Sequence, residues 1–207
     1  MSEGVPSPWS VVQRVWSYRG EERANVMRVI AIAVFYVVQL ANRHGLNLGI
    51  LKLEAVESVT AEFHAAVTAL TVAWMAVALG ALVMMRSRRF PPALKYVTTT
   101  IDVVLLSALL LIADGPRSPL VVIYFIVLAG APLRFSVPLV RYTTFATIAG
   151  YIFVVGDAWL RRPELQVPRY QQVIMVLTLG FCGLVLSQLM RAVRDAAESY
   201  SARAGEP

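Results

Sequence analysis

One acidic side chain stands inside an apolar stretch of this chain. It is Asp102, in Thr98-Thr99-Thr100-Ile101-Asp102-Val103-Val104, about two helical turns from the nearest basic loop. A carboxyl group in hydrocarbon is costly, so it faces a bundle interior or water and pairs with another polar group. Three kinds of chemistry suit it: a proton or cation relay, a polar clasp to another helix, or a hydrogen bond to Thr98, Thr99 or a neighbouring helix. No second acid is expected at equal depth, which argues against a proton-coupled transporter with paired carboxylates.

A second, looser group of polar residues comprises His44, Glu54, Glu57, Glu62, His64, Asp114 and Asp157. Imidazole and carboxylate are suitable ligands for zinc and similar ions. Their spacing includes no HxxxH, HxH or CxxC, so these read as solvated loop charges before they read as a ligand or metal site. The two histidines lie near the outer ends of the first two apolar runs, where a bis-histidine haem is the weaker alternative. Cys182 is the single cysteine, which excludes an intramolecular disulfide and suits packing. No phosphate loop, nucleophile elbow, zincin helix or dinucleotide fingerprint occurs. No catalytic residue, metal or cofactor is therefore expected.

A third pattern is a heptad seam. Leu186, Met190, Val193, Ala197 and Tyr200 are spaced 4, 3, 4, 3, with Arg191, Arg194, Asp195 and Glu198 off the seam. It is suited to pairing with a second copy of the chain or with a partner membrane protein.

The elements that carry these residues are apolar runs at about 26–41, 65–85, 96–113, 119–133, 139–160 and 171–190. A hydrocarbon core about 30 Å thick is crossed by roughly 20 helical residues. Of the 207 residues, 57% are hydrophobic and 15% charged, far from the composition of a water-soluble domain. The expected fold is all-α: a polytopic bundle of six transmembrane helices in the lipid bilayer. Residues 1–25 form an N-terminal segment with a short amphipathic helix at about 9–18, carrying Trp9, Val12 and Trp16 on one face. Residues 26–190 form the membrane domain, and 191–207 a C-terminal helix and tail. The second half of the loop at 42–64, from Leu51 onward, is expected to be a surface helix. No cleavable signal is read at the N-terminus, so the first run acts as an uncleaved anchor.

Thirteen of the 19 Lys and Arg residues fall in alternate loops with the termini, and six on the other side. The excess predicts both termini in the cytoplasm. The basic residues flank membrane runs and make no nucleic-acid face. Tyr96, Tyr142, Trp159 and Tyr170 near run ends fit interfacial belts. Small residues recur every fourth position: Ala65/Ala69/Ala73, Ala76/Gly80, Ala146/Gly150 and Gly183/Ser187. Such faces let helices approach closely.

The hairpin Asp114-Gly115-Pro116-Arg117-Ser118-Pro119-Leu120, then Tyr124-Phe125, Leu133-Arg134-Phe135 and a C-terminal linker helix, carry a resemblance. Over about 28–195 the chain resembles the six-helix membrane sensor module found N-terminal to bacterial sensor histidine kinases, nucleotide cyclases and membrane kinases. Those proteins continue into an effector domain, whereas this sequence stops at Pro207, so no catalytic residue carries over. The resemblance implies a signal-receiving or scaffold role in a bacterial inner membrane, with output supplied in trans. The leading expectation is a non-catalytic sensor-like module relaying through its C-terminal helix. The alternatives are an accessory subunit of a respiratory or photosynthetic complex, and a small transporter or channel using Asp102.

Overall fold

The computed structural model describes residues 8–44, 46–47, 52–53, 61–87 and 93–204, with side chains for 20–41, 61–87, 93–196 and 199. Apolar runs bounded by proline, glycine and charge become helices: α1 (Pro8–His44), α2 (Ala61–Arg86), α3 (Leu94–Ile112), α4 (Ile123–Gly130), α5 (Val137–Arg161) and α6 (Arg169–Ala204). Among the described residues the fold is all-α apart from one two-residue antiparallel pairing, β1 (Leu46–Asn47) with β2 (Lys52–Leu53). Where Leu51 onward was expected to be helical, Lys52 and Leu53 thus pair as a strand, and residues 54–60 lie outside the described residues.

Among the described residues, five helical segments are long and apolar enough to cross a membrane: Gly20–Ala41, Ala61–Arg86, Leu94–Ile112, Val137–Arg161 and Arg169–Ala196. These mark an integral membrane protein. The fourth of the six expected runs is a shorter apolar segment. Pro119–Arg134 is a composite of a 3-10 turn (Pro119–Val122), α4, and a second 3-10 turn (Ala131–Arg134). Proline is the reason. Pro132 has no N–H to continue the α ladder, and the Ala131 N–H tightens onto Leu128 O instead of Val127 O.

The first span also differs from its expected start at Val26. α1 is unbroken from Pro8, so the segment at about 9–18 continues directly into the membrane helix. Glu21, Ala24 and Asn25 are buried against other elements.

The core sits where α3, α4, α5 and α6 meet. Leu106, Leu110, Tyr124, Leu128, Val154 and Leu179 have no exposed surface, and Cys182 packs partly buried at their edge. Tyr124 is buried whole, its hydroxyl bonded to Ser107 Oγ at 2.7 Å. Gly150 allows this contact: a Cβ there would lie 2.8 Å from Val103 Cγ1 and 3.1 Å from the Tyr124 hydroxyl. The small-residue faces are used unequally. Gly183 packs on Thr144 and Gly150 on α3, while Gly80 has no atom within 4 Å of its missing Cβ.

Helices α1 and α2 pack beside this core. α1 touches α2 and the turn Ala131–Arg134, and α2 touches α3. Gly20 lies so close to the Leu133 carbonyl that a Cβ would overlap it. Phe135, with a left-handed φ of 48°, turns the chain from Arg134 into α5. The start of the Gly20–Ala41 segment, the starts of α3 and α5, and the segments ending in Arg86, Arg134 and Ala196 gather at what we term the basic end. Tyr96 and Tyr142 meet edge to face there, with centroids 5.2 Å apart. At the opposite end Arg169 lies over the Trp159 ring.

Candidate functional site

Two buried ion pairs hold α1 against the rest of the bundle. Arg28 lies eight residues past Gly20 on α1, and Asp102 eight residues past Leu94 on α3. At 1.5 Å per residue, each is about 12 Å inside its segment. Both helices leave the basic end, so the two side chains arrive at the same depth. Arg28 Nη2 donates to Asp102 Oδ2 at 2.7 Å, and Trp74 Nε1 of α2 donates to Asp102 Oδ1 at 2.8 Å. Arg28 Nη1 donates to Asn25 Oδ1 at 2.7 Å, and Asn25 Nδ2 donates to the Ala78 carbonyl at 3.0 Å. The chain of bonds therefore begins and ends on α2, passing through α1 and α3. Arg28 Nε is buried without a hydrogen-bond partner.

Nearer the basic end, Arg134 Nε lies 2.9 Å from Glu21 Oε2. Arg134 Nη1 donates to the Lys95 carbonyl (2.9 Å) and to Thr99 Oγ1 (2.6 Å). Arg134 Nη2 donates to Thr98 Oγ1 at 3.3 Å, and Thr98 in turn reaches Glu21 Oε1 at 3.4 Å. One arginine thus fastens the end of the fourth run to α1 and α3. Both pairs are neutral, which is how charges are tolerated in a low-dielectric interior.

Above these pairs runs a cleft of about 880 Å³ between α1, α2, α3 and α4. Its floor is Arg28, Asp102, Trp74, Thr99 and Arg134, and its far rim is Gln39, Asp114 and Ser118. Between them the walls are apolar, with Ile32 and Phe35 on α1, Leu70 on α2, and Ile123, Ile126 and Val127 on α4. Arg28, Ile32, Phe35 and Gln39 are spaced 4, 3, 4 and so share one face of α1. Gln39 Nε2, like Arg28 Nε, is a buried donor without a partner. The exposed residues Met27, Ile30 and Val34 on α1, and Ile126 on α4, flank the cleft where it faces lipid.

Asp102 is thus placed in a built site, with both oxygens engaged. Sequence reasoning counted Arg28 and Arg134 among membrane-flanking basic residues and Glu21 in the N-terminal segment, and so missed three of the four ion-pair partners. The available signal was the matched depth of Arg28 and Asp102 on two helices running in the same direction.

The looser polar group does not converge. Among the described residues, no three of His, Cys, Asp and Glu come together as a metal site. Glu62 is exposed and Asp114 sits before the 3-10 turn Gly115–Arg117. Asp157 pairs with Arg162 at 3.0 Å and with exposed Arg161 at 3.6 Å. His64 is partly buried; the side chain of His44, with Glu54 and Glu57, lies outside the described residues.

The seam divides as well. Leu186 and Met190 pack inward on Ala131, Val137 and Val140, whereas Val193 is exposed. The Ala197 and Tyr200 side chains lie outside the described residues. Ala131 also lines the cleft, so one short turn touches both the cleft and α6. Comparison with models of known protein families, with curated proteins and with solved structures finds no match.

Proposed function

We propose that the chain is a non-catalytic, sensor-like module of a bacterial inner membrane. It takes up a membrane-soluble amphiphile in the cleft and relays occupancy through the end of α6 to a second copy or a partner membrane protein. The observation that carries this reading is the cleft itself: apolar walls facing lipid over a polar, charge-balanced floor. Two buried donors without partners, Arg28 Nε and Gln39 Nε2, favour a ligand with hydrogen-bond acceptors. Contact of Ala131 with both cleft and Met190 supports the relay. The 2.7 Å pairing of Asp102 with Arg28 favours this over a proton or cation relay, whose acid must be free to exchange its partner.

In this reading the chain crosses the membrane six times, with both termini in the cytoplasm. The fourth crossing uses four 3-10, eight α and four 3-10 residues. A 3-10 residue rises about 2.0 Å against 1.5 Å for α, so the segment reaches roughly 28 Å, near the hydrocarbon thickness of about 30 Å. Apart from the buried Arg28 and Arg134, the basic residues of the alternate loops then face the cytoplasm.

The test is native mass spectrometry of the detergent-extracted chain. One small amphiphile per chain is expected on the wild type. Ile126→Trp and Ala129→Phe, which fill the cleft mouth, should lose it while keeping the thermal midpoint within a few degrees. A wild type that retains nothing beyond detergent and bulk phospholipid would overturn the reading.

A further inference from the structure

A second concavity, of about 570 Å³, lies at the basic end between α5 and α6 and shares no lining residue with the cleft. It is lined by Val137, Pro138, Arg141, Arg191, Arg194 and Asp195. Arg141 and Arg191 against Asp195 leave it net positive, with Arg194 beside them. Arg141 and Arg191 make no ion pair among the described residues. The first turn of α5 adds to the field. Its N-cap Ser136 makes no side-chain capping bond, and Ser136 Oγ instead accepts from Lys95 Nζ at 3.2 Å. Pro138 has no N–H and that of Val140 bonds the Ser136 carbonyl, so the turn contributes only the partial positive charge of a helix N-terminus.

The surroundings are apolar on one side only. Val137 opens one membrane segment and Ala196 closes another, so the arginines sit at the boundary of the apolar spans. One turn further in from Arg141, Phe145 is 73% exposed; two turns in from Arg191, Leu184 is 62% exposed. A head held by the arginines would thus leave acyl chains lying along the α5–α6 surface.

We infer that Arg141, Arg191 and Arg194 seat the phosphate of an anionic membrane phospholipid. Guanidinium groups bind phosphate oxygens in a fork, and a basic pocket between spans is suited to anionic headgroups. This rests on the chain crossing a membrane, but not on the cleft or on what occupies it.

The experiment titrates the full chain in dodecylmaltoside micelles with dioleoyl phosphatidylglycerol or dioleoyl phosphatidylcholine, and counts retained lipid by native mass spectrometry. Phosphatidylglycerol should be retained at least about tenfold better. With about fivefold per charge, Arg141→Gln combined with Arg191→Gln should weaken it about 25-fold. Asp195→Asn should strengthen it about fivefold, a direction that misfolding does not produce. Arg161→Gln, at the opposite end, should change nothing. Equal retention of the two lipids, unchanged retention in the double variant, or weaker binding in Asp195→Asn would overturn the inference. Displacement of the lipid by millimolar inorganic phosphate would also overturn it, by identifying a free-anion site.

Discussion

Removing one member of the Arg28–Asp102 pair leaves the other charged and enclosed, whereas removing both leaves no buried charge, only Trp74 Nε1 and Asn25 Oδ1 without these partners. Breaking a buried pair from one side costs about 3–5 kcal/mol, while replacing both members with apolar groups costs far less. Asp102→Leu is therefore expected to lower stability by about 3 kcal/mol, and Arg28→Met together with Asp102→Leu by less than that single change. Chemical denaturation in detergent measures both, and a double variant as unstable as the sum of the singles would refute the coupling. Arg134→Met should cost as much as Asp102→Leu, because it strands Glu21, which is 1% exposed. The acid of the first pair was legible in the sequence, since a lone carboxylate in an apolar run has little choice but to pair. Its partners were not. Hydropathy reads Arg28, Glu21 and Arg134 as span boundaries, because a charge cancelled across 74 residues looks the same in one dimension as a charge facing water.

Close helix contacts are decided at two glycines. Gly20→Ala drives a methyl into the Leu133 carbonyl, a backbone atom that cannot turn aside, and Gly183→Ala meets the Thr144 side chain. Each is expected to destabilise by about 1–3 kcal/mol. Gly180→Ala is the control: nothing lies within 4 Å, and alanine is the better helix former by about 1 kcal/mol. Thermal unfolding of the three variants in one detergent orders them, and equal midpoints would show that neither contact matters. The small-residue spacing was legible in sequence, and so was helix identity for α2, α3, α5 and α6. Which small faces turn inward was not, because Ala76/Gly80 and Gly183/Ser187 have the same pattern. The division of the fourth run was half legible. Pro119 and Pro132 marked its ends, but a proline that ends one helix and one that tightens it into 3-10 turns read alike until the partner of the Leu128 carbonyl is seen.

At the scale of the whole molecule, the six crossings proposed above, with Lys and Arg concentrated in alternate loops, require both ends on one side. With Cys182→Ala as background, Ser2→Cys and Ser201→Cys should both be labelled only from the cytoplasmic face by a membrane-impermeant maleimide. Labelling of one from each face would demand an odd number of crossings. The inward packing of Met190 and the exposure of Val193 separate two roles that the heptad pattern merged. Met190→Glu should lower the thermal midpoint, and Val193→Glu should leave it unchanged while altering association measured by cross-linking. The ion pair also sets an order of events during synthesis. Arg28 is synthesised 74 residues before Asp102. On its own, an arginine near the membrane centre opposes insertion by roughly 3 kcal/mol. The first helix is therefore held only loosely in the bilayer until the third arrives to neutralise it. A nascent chain stopped at Arg86 should leave α1 partly uninserted, and one extended through Ile112 should hold it in place, a difference that glycosylation mapping in membranes can read.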